Sequence, residues 1–121
     1  MNYNRAIIAG RVVAKPEARS LDTGKVVTTF TIATSYKHGE NETTEFHNIV
    51  AWENLAKTIV QYVEKGQVIL IEGRLQTTSW EKDGVKRYKT EIVAEKMQFG
   101  QKAKGSHSGQ SEVEQDIDNI F

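Results

Sequence analysis

The sequence predicts an all-β fold, a five-stranded Greek-key barrel with one helix between the third and fourth strands. Three observations predict it. Short segments rich in β-branched residues run through the first hundred positions, turn residues punctuate them, and one stretch alone has helical periodicity. With 121 residues, of which 38% are apolar, the chain has the size of one compact domain.

The elements follow in order. Arg5 to Ala14 is a dense apolar run with Gly10 inside it, so a strand with a bend or close approach at the glycine is expected, ended by Pro16, which cannot donate to a ladder. After Asp22-Thr23-Gly24, the stretch Val26 to Ser35 is rich in β-branched residues and reads as the second strand. His38-Gly39-Glu40-Asn41-Glu42 is turn-prone, and Thr43 to Trp52 resumes an extended pattern, which predicts a hairpin with a longer loop. From Glu53 to Lys65, Leu55, Ala56, Ile59, Val60 and Val63 recur at helical spacing. Asn54 is the expected N-cap and Gly66 the C′ residue. Gln67 to Ser79 is the fourth strand. Lys82-Asp83-Gly84-Val85 is a tight-turn signature leading into the fifth, Lys86 to Phe99. This order is that of an OB-fold, a barrel that commonly binds oligonucleotides. Val68 to Ile71 is apolar on both faces, so one face needs a cover beyond the barrel core, either the helix or a neighbouring subunit.

Composition excludes several classes. There is no cysteine, hence no disulfide, thiolate nucleophile or Cys-based zinc site. No apolar run is long enough to span a bilayer, and Met1 to Arg5 lacks the pattern of a secretory signal, so a cytoplasmic location is expected. The formal charge of zero conceals an asymmetry: residues 1–104 hold all 16 Lys and Arg against 12 acids, whereas residues 105–121 hold four acids and no cation. The basic body permits a polyanion partner.

Alternation along Thr44 to Trp52 places Phe46, Asn48, Val50 and Trp52 on one face and His47, Ile49 and Ala51 on the other, the two rings roughly 20 Å apart. Trp80 ends a strand face whose other members, Arg74, Gln76 and Thr78, are polar. Tyr88 stands among Lys86, Arg87 and Lys89, and Tyr36 beside Lys37 and His38. Rings interleaved with cations suit a single-strand platform, where each ring stacks on a base for about 1 to 3 kcal/mol and the cations follow the phosphates.

The same residues carry a family likeness. Glu45-Phe46-His47, Val50-Ala51-Trp52, Leu55-Ala56, Tyr62-Val63, Lys65-Gly66, Glu72-Gly73-Arg74-Leu75, Trp80, Asp83-Gly84, Arg87-Tyr88 and Thr90-Glu91 form an ordered set. With Asn4 to Gly10, Pro16 to Arg19 and Phe30 to Thr34, it resembles the bacterial single-stranded-DNA-binding proteins over residues 1–100. The resemblance implies an OB-fold homotetramer that wraps single-stranded DNA. It maps stacking aromatics onto Phe46, Trp52 and Trp80, with Tyr36 favoured over His38 for a fourth. It maps basic contacts onto Arg19, Lys65 and Arg87, and a subunit-interface histidine onto His47. Arg74 and Tyr88 join the expected DNA contacts through their neighbours. Asn48, Thr78 and Ser79 stand where some members carry Lys or Arg, which implies a weaker salt dependence.

Residues 101–111 have the composition of a flexible linker, and residues 112–121 resemble the acidic tip through which the family recruits replication, recombination and repair proteins. Asp116, Asp118 and Phe121 match that tip, whereas Ile117, Asn119 and Ile120 stand where an acid, an Ile and a Pro are usual; Ile120 is still counted with the tip. The linker is shorter than the family's, as in a short-tailed accessory or phage version.

Two other classes compete. An enzyme needs converging polar groups, yet His38, His47 and His107 fall in a loop, a strand and a linker, with no phosphate loop or metal-ligand spacing, so neither catalysis nor a cofactor or metal is expected. An interaction module that binds other proteins would share the fold but has no need of the exposed aromatic set.

Overall fold

The computed structural model describes residues 1–100. The linker and the acidic tip, with Asp116, Asp118, Ile120 and Phe121, lie outside the described residues. The elements are β1 (Ala6–Val12), β2 (Glu17–Ser20), β3 (Val26–His38), β4 (Asn41–Trp52), α1 (Glu53–Tyr62), β5 (Val68–Lys82) and β6 (Val85–Phe99). The sheet order is β1-β5-β6-β4-β3-β2, and a further β1–β3 pairing at Arg11/Ala33 and Val12/Ile32 closes the five long strands into a barrel. This is an OB-fold, with α1 between the third and fourth barrel strands. The short β2 lies against β3 outside the closed ring.

Alternation sorts the side chains. Val12, Phe30, Ile32, Ile49, Ala51, Ile69, Ile71, Ile92 and Ala94 fill the barrel together with Ala56, Ile59 and Val63. Three residues spaced by three and four on α1 and its C-cap are therefore fully buried, so the helix belongs to the core. The helix packs chiefly on β2, β3, β4 and β6. It does not provide the cover expected over β1 and β5, where Ile7 is exposed and Val68 and Leu70 are half-buried.

Two glycines are required by close approach. A Cβ at Gly10 would lie 2.3 Å from the Ala33 carbonyl oxygen, beside the β1–β3 closure, and one at Gly73 would lie 1.9 Å from that of Val93. Gly73 also sits at the irregularity in the β5–β6 register, where the sheet bends to close.

Several boundaries differ from expectation. The β3–β4 hairpin has no long loop: His38 pairs with Asn41 across Gly39-Glu40, and Gly39 has φ 65°, a conformation glycine adopts without steric cost. Asp83 and Gly84 both have positive φ, 54° and 78°, the signature of the two-residue turn that suits hairpin twist. The helix ends at Tyr62 rather than Lys65, and Asn54 does not cap it. The N-cap is Trp52, without a side-chain bond. Strand and helix abut there, so the N-cap position falls to the last residue of β4. Glu53 turns the corner at φ 52° and accepts the Val26 N–H at 3.3 Å.

The other helix end is held from outside. The Lys15 Nζ donates to the Val60 and Val63 carbonyls, both at 2.8 Å, supplying the cation that the last turn lacks. Gln67, almost fully buried, accepts the Glu64 N–H at 3.0 Å through its side chain, while its own carbonyl accepts the Val12 N–H at 3.0 Å.

Candidate nucleic-acid interface

Strand register gathers the expected residues onto the outer face of the barrel. On β4, Phe46, Asn48, Val50 and Trp52 face outward while Ile49 and Ala51 fill the core. Val27, opposite Trp52, shares that face, and Arg19 of β2 is opposite Val27. Arg19, Val27 and Trp52 therefore form one row across three strands. On the other side, β4 runs parallel to β6 with Val50 beside Val93, and Val93 is opposite Arg74. From that row outward, β5 carries Arg74, Gln76, Thr78 and Trp80, facing Val93, Glu91, Lys89 and Arg87 in turn.

One face thus holds Phe46, Trp52 and Trp80, at 64%, 39% and 45% exposure, with Arg19, Arg74, Lys89 and Arg87 around them. Val27, Val50 and Val93 form a small buried cluster separate from the barrel core, an apolar floor between the rings. Exposed aromatic surface of this extent is costly in water, and on the outside of a barrel it marks a contact surface. Beside Arg19, a groove of about 300 Å³ is lined by Lys15, Glu17, Ala18, Arg19 and Thr29.

Not every expected residue is on that face. Tyr36 alternates with Phe30, Ile32 and Thr34, and Tyr88 with Ile92 and Ala94, so both project from the reverse sides of their hairpins, where both are exposed. The Tyr36 ring lies 4.9 Å from that of His38, tilted by 57°, and the Lys86 Nζ lies 5.9 Å from the Tyr88 centroid. Because β4 and β6 are parallel, both hairpin tips extend from the same end of the barrel, away from α1. Lys65 is exposed in the turn between α1 and β5, off the sheet. His47 faces away from the aromatics, half-buried, with its Nε2 2.8 Å from the Thr34 hydroxyl.

The charges on the face are partly paired. The Lys89 Nζ is 3.5 Å from Glu91, and the Arg74 Nε is 4.0 Å from Glu95. Arg5 also bonds Glu95, at 2.9 Å, and Glu72. Hydrogen bonds to Glu72 and then Glu95 raise its guanidinium above the ordinary value, so it stays charged. Among the described residues there is no cluster of three or more His, Asp or Glu able to hold a metal. No helix there is long and apolar enough to cross a membrane.

Comparison with known proteins agrees with this geometry. The model of the single-strand binding protein family matches residues 3–100. The chain belongs to that family. This family member is 44% identical over 117 residues to single-stranded DNA-binding protein 1 of Chlorobaculum tepidum, covering 91% of this chain and 72% of the relative. It is 42% identical over 101 residues to single-stranded DNA-binding protein 2 of Streptococcus agalactiae serotype V, covering 80% and 76%. Its fold superposes on a Plasmodium falciparum SSB solved in complex with ssDNA, with a TM-score of 0.76 and 27% identity, over 82% of this chain and 96% of the other.

Sequence reasoning named Lys89 only as a neighbour of Tyr88 and Glu91 only within the family likeness, and did not single out Glu95. Their signal was available, since Arg87, Lys89, Glu91, Val93 and Glu95 alternate along one strand. Assigning them to the aromatic face required the β5–β6 register.

Proposed function

We propose that this chain binds single-stranded DNA without regard to base sequence, protecting it, and performs no chemistry of its own. The observation that carries the reading is the clustering of Phe46, Trp52 and Trp80, exposed, on one sheet face bordered by Arg19, Arg74 and Arg87. A ring presents a π-face to any base and a cation follows any phosphate, so neither reads sequence. Tyr36 and Tyr88 extend the contact along the hairpins, and Lys65 offers a further phosphate contact beyond the sheet.

The functional form in this reading is a homotetramer. Ile7 on β1 is exposed beside half-buried Leu70 and Val68 of β5, a face the helix leaves open and a second copy would cover. His47 belongs to the interface in this scheme. Residues 112–121 form the acidic tip that recruits replication, recombination and repair proteins, with residues 101–111 as linker to the domain of residues 1–100. The protein acts at the nucleoid, as a short-tailed accessory or phage-type member of the family.

The test is a titration with an oligo-dT while tryptophan fluorescence is followed. Strong quenching is expected from Trp52 and Trp80, and unchanged fluorescence would overturn the reading. Light scattering with and without the oligonucleotide measures the assembly; a monomer mass in both would overturn the tetramer.

A further inference from the structure

A surface built for a polyanion should avoid carboxylates, yet two stand on this one. Along the outer side of β6 the order is Arg87, Lys89, Glu91, Val93, Glu95, so the strand is cationic toward the hairpin tip and anionic toward the barrel. Glu91 is opposite Gln76 in the middle of the face, and its side chain is only 12% exposed. A carboxylate so enclosed is poorly screened by salt and repels a passing phosphate more strongly than a solvated one. Its ionic partner is Lys89, at 3.5 Å on the same side of the same strand. Four residues beyond Glu91, Glu95 sits within 4.0 Å of Arg74 and at 2.9 Å accepts from Arg5, which also holds Glu72.

From this arrangement we infer that Glu91 and Glu95 are affinity-limiting residues: they occupy Lys89 and Arg74 in internal ion pairs, so that DNA can engage these cations only by displacing a carboxylate. The inference rests on the single-stranded-DNA reading above and adds to it a regulation of the same site.

The physical consequence follows from ion exchange. A cation free in the unbound protein gains a phosphate and releases a counterion from the DNA, and that release makes affinity fall with salt. A cation already neutralised by a carboxylate exchanges one anion for another, and the displaced carboxylate is left against the phosphate. Lys89 and Arg74 therefore add little net attraction. On this face phosphate binding falls instead to Arg87 and Arg19, for which no carboxylate lies within ion-pair distance among the described residues. A coat protein held in this way stays displaceable from DNA, which is of use when other proteins must reach the strand.

Replacing either carboxylate by its amide keeps shape and removes charge. Glu91→Gln, Glu95→Gln and the double variant are titrated with the same oligo-dT by tryptophan quenching over a series of salt concentrations. Asp22→Asn is the control, because Asp22, in the turn between β2 and β3, is within ion-pair distance of no cation among the described residues, so its loss removes a charge without releasing a cation. Each face variant is expected to bind several-fold more tightly than the wild type. The slope of log affinity against log salt is expected to steepen by about 0.7 for each cation released, with Asp22→Asn close to wild type. Equal or weaker binding by a folded variant would overturn the inference, as would a gain equalled by the control, which would show a general charge effect. Glu95→Gln, at a more exposed position, covers the case in which Glu91→Gln does not fold. Wild-type protein that fails to bind would overturn the DNA reading and this inference together. Wild-type binding with unaltered variants would overturn this inference alone.

Discussion

Trp80 and Arg87 are directly opposed across the β5–β6 hairpin, so an indole and a guanidinium stand side by side on the same face. Paired positions in an antiparallel ladder place their Cβ atoms about 5 Å apart. One nucleotide could thus stack on the ring while its phosphate meets the cation. Trp80→Ala is expected to weaken oligo-dT binding by about 1 to 3 kcal/mol and to leave the circular dichroism spectrum unchanged, since the ring is not part of the core. Loss of folded structure in that variant would show that the indole supports the barrel instead.

Arg87→Gln separates the two halves of that pair. Binding should weaken, and the salt slope should become shallower by about 0.7, while quenching at saturation stays near the wild-type value because both tryptophans are still present. An unchanged slope would place the phosphate elsewhere.

The fold was legible because its determinants are local: alternation in β4, the three-and-four spacing of Ala56, Ile59 and Val63, and glycine at the hairpin turns. Phe46, Trp52 and Trp80 were legible for the same reason, since parity within one strand fixes a face. Tyr36 and Tyr88 were expected among the DNA contacts through their cationic neighbours, although parity with Phe30 and Ile32, and with Ile92 and Ala94, sets them on the reverse sides. What one segment does not report is which strands meet: the Gly73 irregularity and the parallel β4–β6 pairing have no local signature. The Lys15 contact with the end of α1 joins residues 45 and 48 positions apart, a separation that local pattern does not report.

Gly73 is where the β5–β6 register is set. A Cβ there meets the Val93 carbonyl oxygen at 1.9 Å, a backbone atom that cannot move aside without disturbing the β5–β6 ladder. Gly73→Ala is expected to lower stability by about 3 kcal/mol, read as a fall in the urea midpoint. A midpoint equal to wild type would mean the irregularity can shift at no cost.

Lys15→Met removes the donor to the Val60 and Val63 carbonyls but keeps the aliphatic stem. The site is part-exposed, so water replaces much of what is lost, and about 1 kcal/mol of destabilisation is expected in thermal or urea unfolding. DNA affinity should change far less than in Trp80→Ala. A comparable loss of affinity would place Lys15, which also lines the groove beside Arg19, on the phosphate path.

Deleting residues 112–121 tests the division of labour proposed between body and tail. The segment removes four acids, Glu112, Glu114, Asp116 and Asp118, and no cation. If the tail serves protein partners alone, its charge can act on DNA only by repulsion, directly or by competing for Arg19 and Arg87. Affinity for oligo-dT should then be equal to wild type or slightly higher, most visibly at low salt where screening is weakest. A marked drop in affinity would mean that the tail helps to hold the strand, and the assignment of its acids to partner recruitment would fall.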